Sequence, residues 1–205
     1  MDFPLCFDYK HVNGKPIRLD VYPPNNNTLL PVKRPTIIYF HGGTLTVGNR
    51  ACFLSGCTVR HFPHCCDCLP RSRFKERLSS RGVILVGADY RLMPPSTGHD
   101  MVEDIQDLFR FVPFPLNDCL DEMFSNQATL SNWSPFRVDP EAIGVSGTSA
   151  GPLCAYLACM HVVPKPKVVL SMYGRGGDVL VSDNGPFTDS PHTIRLEFPL
   201  LHAQV

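Results

Sequence analysis

Apolar positions along this chain follow two periods, and the order in which they alternate predicts the architecture. Leu5 to Tyr9 and Ile17 to Tyr22 read as strands, joined through Asn13-Gly14, a strong hairpin signal. Pro23 to Pro31, with Asn25-Asn26-Asn27, reads as a loop. Pro35-Thr36-Ile37-Ile38-Tyr39-Phe40 follows as a β-branched and aromatic run of the kind found in buried strands. Phe74 to Ser80 predicts a helix stopped by Gly82, and Val83 to Ala88 a buried strand. His99 to Val112 has helical period: Met101, Ile105, Leu108, Phe109 and Val112 fall near one face, with Asp100, Glu103, Asp104 and Asp107 largely elsewhere. Ala142 to Ser146 is a short buried strand, Ala150 to Val162 a helix, and Val168 to Met172 a last strand. Strands alternating with helices predict an α/β fold, a mostly parallel sheet with helices on both faces behind an antiparallel start.

Composition narrows the function classes. Nineteen basic residues balance nineteen acidic ones, so the chain carries no electrostatic footprint of a nucleic-acid or membrane-surface binder. Its longest apolar runs fall far below the ~18 residues of a membrane span, and Met1-Asp2-Phe3-Pro4 is no signal peptide, so a cytoplasmic protein is expected. Twenty prolines crowd the loops. The length suits one globular domain, although sheets of this class usually need more chain.

Two glycine motifs carry the candidate chemistry. Gly147-Thr148-Ser149-Ala150-Gly151 follows a buried strand and opens a helix. A serine with glycines two positions either side can occupy a tight strand-to-helix turn, because side chains there would collide with the neighbouring strand and helix. Pro152 fits the first helical turn, where its missing N–H has no intrahelical partner. About a hundred residues earlier, His41-Gly42-Gly43-Thr44 ends a strand at the edge where open α/β sheets place ligands. Backbone N–H groups of such a loop, with that of Ala150, could meet the oxyanion of an acyl transfer.

With Asp89-Tyr90-Arg91-Leu92-Met93-Pro94, these motifs resemble in order and type the α/β-hydrolases of the hormone-sensitive-lipase-like esterase and lipase group. The resemblance spans residues 36 to 172. It implies Ser149 as nucleophile, an oxyanion hole from Gly42, Gly43, Thr44 and Ala150, a small carboxylic ester as substrate, and no cofactor or metal. Thr44 stands where the family has a fourth glycine, and Pro152 where a small residue is common. A β-branched residue at positive φ costs about 1 to 3 kcal/mol. The sequence assigns no oligomeric state.

In this fold the triad acid and histidine follow the serine on later strands. After Ser149 the chain predicts one helix, one strand and a tail of little periodicity, in which Asp178, Asp183, Asp189, His192 and His202 read as solvated polar residues. The expectation is therefore an incomplete hydrolase domain over 1–177, apparently lacking its C-terminal strands, and an irregular tail over 178–205. The alternative reading is a catalytically impaired fragment or pseudo-hydrolase, because loss of one triad member costs on the order of a million-fold in turnover.

Residues 51–70 fit no element and are expected to be a poorly ordered insertion. They hold Cys52, Cys57, Cys65, Cys66 and Cys68 with His61 and His64, but the spacing is unlike that of structural zinc sites. His41 is expected to brace its loop, His161 to end a helix, and Asp89 and Arg91 to form a structural ion pair. Trp133 to Phe136, with Met123 and Phe124, sit in a connection before a strand, facing substrate or serving as packing.

Overall fold

The computed structural model describes residues 4–25, 32–53, 71–125 and 134–174, with the backbone alone at 52, 53 and 71–73. Six strands form one sheet in the order β1-β2-β4-β3-β5-β6. The hairpin β1 (Leu5–Val12) and β2 (Lys15–Tyr22) is antiparallel, and Asn13 at φ 51° and Gly14 at φ 75° give its turn the left-handed conformations a two-residue connection needs. β2 runs antiparallel to β4 (Ile84–Ala88), after which β4, β3 (Val32–Phe40), β5 (Phe136–Thr148) and β6 (Val169–Met172) are all parallel.

Alternation along the strands divides the core between the two faces. Leu19, Val21, Ile38, Phe40, Ile84 and Val86 pack against α2 (Gly98–Phe111), α3 (Pro115–Ser125) and α4 (Gly151–His161) through residues such as Met101, Ile105, Leu116 and Ala155. Tyr22, Tyr39 and Leu85 point the other way, onto Phe74 and Leu78 of α1 (Arg71–Ser80). A mostly parallel sheet with helices on both faces is what the periodicity predicts.

Local signals set the element ends. Gly82, at φ 72°, stops α1 as the sequence predicts: Val83 N–H reaches Leu78 O and Gly82 N–H reaches Ser79 O, each at 3.0 Å. Thr97 caps α2 in a capping box with Asp100.

Three readings are corrected. α3, absent from the sequence reading, buries Leu116, Asn117 and Leu120, so Met123 and Phe124 belong to a helix; the ring of Phe124 meets that of the fully buried Phe136 edge-on at 5.4 Å. β5 begins at Phe136 rather than Ala142, because the register irregularity between Val138 and Ile143 accommodates Pro140 inside the strand. A short 3₁₀ turn, Arg50–Phe53, leads into the segment expected to be an insertion, of which residues 54–70, with Cys57, Cys65, Cys66, Cys68, His61 and His64, lie outside the described residues. Asp89 and Arg91 do not pair with each other: Asp89 binds Arg50, and Arg91 binds Asp100, Glu103 and Asp104. The region 178–205, with Asp178, Asp183, Asp189, His192 and His202, also lies outside the described residues.

Candidate active site

β5 ends at Thr148 and α4 begins at Gly151, which leaves two residues to reverse the chain. Ser149 carries the strain at φ 57°, in the left-handed region that a non-glycine residue rarely occupies. Its N–H donates to Met172 O at 3.2 Å, so the end of β6 holds the turn from one side. Both flanking glycines are required by space. A Cβ on Gly147 would overlap the backbone of Gly151 and come within 2.6 Å of Pro152 N, and one on Gly151 would strike Phe40 O. The first helical turn of α4 is thus pressed against the ends of β3 and β5.

The loop after β3 lies against this turn. A Cβ on Gly42 would sit 2.9 Å from Thr148 O and 3.0 Å from Ser149 Cβ, so only glycine lets the two segments approach so closely. Gly43, Thr44 and Leu45 have φ values of 114°, 55° and 64°. Thr44 therefore adopts the conformation its β-branched side chain disfavours; its hydroxyl offsets part of that cost by donating to Gly43 O at 2.7 Å, and it lies 2.8 Å from Thr46 Oγ1. Gly43 O also accepts from the N–H groups of Thr46 and Val47, both at 3.0 Å, which closes the loop. No backbone carbonyl among the described residues accepts from the N–H of Gly42, Gly43, Thr44 or Ala150.

The loop is braced from beneath. His41 is buried, its ring stacked on Tyr90 with centroids 4.4 Å apart, and Tyr90 Oη donates to His41 O at 2.7 Å. His41 Nδ1–H donates to Gly42 O at 2.7 Å, and burial pushes the imidazole below its ordinary pKa despite that bond. Leu45 is buried, and its carbonyl accepts from Met93 N–H at 2.8 Å. Met93 follows Arg91, which clasps Asp104 at 2.8–2.9 Å; the fully buried Asp104 also pairs with Lys10 at 2.9 Å. Arg50 joins Asp89 at 2.6 Å and Asp20 at 2.8 Å, so its place in the short 3₁₀ turn is fixed by two carboxylates.

Buried Tyr39 Oη lies 2.6 Å from Thr148 Oγ1. The pattern along the chain does not mark this pair, because β3 and β5 each carry a further buried hydroxyl, Thr36 and Ser146. Of the described histidines, His41 is committed to its loop, while His11, His99 and His161 are exposed on β1, α2 and the end of α4. Among the described residues no group of three or more His, Cys, Asp or Glu side chains is placed to hold a metal, and no helix is long and apolar enough to cross a membrane.

No family model matches the chain. Individual proteins do. Arylacetamide deacetylase of the rabbit, Oryctolagus cuniculus, is 31% identical over 160 residues, 78% of this chain and 32% of that protein. A probable carboxylesterase, M8, of a Phoma species is 23% identical over 82% of this chain and 46% of its own length. The apo form of esterase 2 from Thermogutta terrifontis superposes with a TM-score of 0.58 at 21% identity, covering 92% of this chain and 61% of that one, and the butyrate-bound form gives 0.55. The chain thus matches about a third to three fifths of the length of these proteins. The sheet order, the two glycine motifs in their places and the likeness to these proteins agree: the chain has an α/β-hydrolase fold and is similar in sequence to arylacetamide deacetylase and carboxylesterases of the hormone-sensitive-lipase-like type.

Proposed function

We propose that this chain is a serine hydrolase of the carboxylesterase type, acting on a small carboxylic ester through an acyl-enzyme at Ser149. The observation that carries the reading is the strained Ser149 turn packed directly against Gly42 of a glycine loop. In this scheme Ser149 Oγ attacks the ester carbonyl carbon and a base takes its proton. The carbonyl oxygen becomes an oxyanion, met by N–H groups from Gly42, Gly43, Thr44 and Ala150. Collapse expels the alcohol, which regains a proton, and water then releases the acid by the reverse sequence. The name of the probable carboxylesterase supports an ester substrate, and that of arylacetamide deacetylase supports acyl transfer of the same kind from an acetamide.

The placement of the described histidines favours a second reading, a catalytically impaired hydrolase. His41 is committed to its loop, and His11, His99 and His161 are exposed on β1, α2 and the end of α4, so a histidine base for full activity would have to come from outside the described residues. A site reduced to nucleophile and oxyanion donors keeps only about a thousand-fold advantage over water.

A fluorophosphonate probe and a short-chain nitrophenyl ester separate these readings. Probe labelling that Ser149→Ala abolishes supports the nucleophile, and equal labelling of the alanine variant refutes it. Ester turnover near the ~10 per second typical of enzymes supports a complete machinery; turnover a thousand-fold lower, with labelling retained, supports the impaired one.

A further inference from the structure

We propose that the Tyr39–Thr148 hydroxyl pair is a positioning device that holds Ser149 in its strained turn. The inference rests on the acyl-transfer reading above and adds to it two residues that touch no reacting atom.

Thr148 is where several constraints meet. Its hydroxyl lies 2.6 Å from Tyr39 Oη, with both residues buried. Its carbonyl forms the wall against which Gly42 is pressed, 2.9 Å from the position of a Cβ on that glycine. The next residue is Ser149 at φ 57°. A residue held there persists only where its surroundings over-determine it, and its strain is relieved most readily if the adjoining Thr148 can itself shift. Tyr39 opposes that motion. It is anchored in the centre of the sheet, where β3 pairs with both β4 and β5, and its ring is packed with Tyr22 and Leu85. The same strand runs on through Phe40 into the glycine loop, so one hydrogen bond fixes the nucleophile's turn to the strand that carries the oxyanion donors. A buried bond between two hydroxyls also resists loss, because neither group finds water once it breaks.

The test compares wild type with Thr148→Val, Thr148→Ser, Tyr39→Phe and the double variant Tyr39→Phe/Thr148→Val. Each is assayed for fluorophosphonate labelling, with the maximal rate separated from probe affinity, for thermal midpoint, and for hydrogen exchange at the Ser149 amide. Thr148→Val and Tyr39→Phe should each lower the maximal labelling rate about three- to tenfold with probe affinity unchanged, as loss of one neutral hydrogen bond predicts. Thr148→Ser, which keeps the hydroxyl, should label within about twofold of wild type. The double variant leaves no orphaned hydroxyl, so its thermal midpoint should recover toward wild type while its labelling stays slow. A merely structural bond would let rate and stability recover together, and that result overturns the proposal. So does wild-type labelling by Thr148→Val, or a loss in Thr148→Ser as large as in Thr148→Val. Should wild type itself fail to label, the nucleophile reading falls, and exchange at the Ser149 amide decides the positioning claim: faster exchange in Thr148→Val but not Thr148→Ser upholds it, and unchanged exchange refutes it.

Discussion

Replacing Gly147 with alanine adds one methyl carbon to the centre of the strand-to-helix turn, and the structure fixes what that carbon meets. It would overlap the Gly151 carbonyl carbon and come within 2.6 Å of Pro152 N and 2.7 Å of Gly151 O. All of these are backbone atoms in the first turn of α4, so no side chain can rotate away, and the helix must slide off the ends of β3 and β5. Overpacking of this kind costs typically about 1 to 3 kcal/mol, and backbone neighbours place Gly147 at the upper end. For a chain of this size ~3 kcal/mol corresponds to a fall of roughly 6 to 12 °C in thermal midpoint. Gly98 is the matched control: it is exposed, in the first turn of α2, and a Cβ there has nothing within 4 Å. Gly98→Ala should therefore leave stability unchanged or raise it by up to ~1 kcal/mol. Urea unfolding of the two variants, with fluorophosphonate labelling alongside, tests the pair. A Gly147→Ala protein within ~0.5 kcal/mol of wild type, the range of an ordinary surface substitution, refutes the packing argument and with it the close approach of helix and strand.

Asp104→Asn should destabilise by about 3 kcal/mol, the low end for breaking a buried ion pair, since Lys10 and Arg91 keep some access to water; denaturant midpoints check this. Ser146 Oγ is buried without a hydrogen-bond partner among the described residues, so Ser146→Ala should be neutral or stabilising by up to ~1 kcal/mol; a loss above that contradicts it. His41 contributes an acid-sensitive component. Its folded pKa lies below the ordinary 6.5 because it is buried, so the unfolded ring takes a proton first as pH falls. Stability from this group is complete above that value and declines as pH drops below it, and His41→Gln should flatten the stability profile below about pH 6.5. An unchanged slope in the variant sinks the assignment.

The sheet was legible because both of its signals are local. Asn13-Gly14 can hardly be anything but a hairpin turn, and runs such as Ile84–Ala88 bury both faces and so read as continuous apolar residues. The elbow was legible for the same reason, since two glycines around a serine encode a steric requirement of the turn itself. α3 escaped although Leu116, Leu120, Met123 and Phe124 have helical spacing, because Pro113 and Pro115 punctuate its start like a loop; Pro115 is in fact its first residue. Long-range pairings could not be read. Arg91 chooses Asp104 over its neighbour Asp89, and Arg50 crosses to Asp20 and Asp89, because the fold decides which carboxylate lies within reach. Tyr39 and Thr148 are 109 positions apart, and no pattern along the chain connects two hydroxyls at that separation.

The contact between Gly42 and Ser149 also sets a timetable. A chain synthesised from its amino end displays the glycine loop long before the wall it leans on exists, because Thr148 and Ser149 emerge more than a hundred residues later. Ser149 in turn waits for Met172, whose carbonyl accepts the hydrogen bond from its N–H. The turn around Ser149 therefore gains its last backbone hydrogen bond only once the last described strand is laid down.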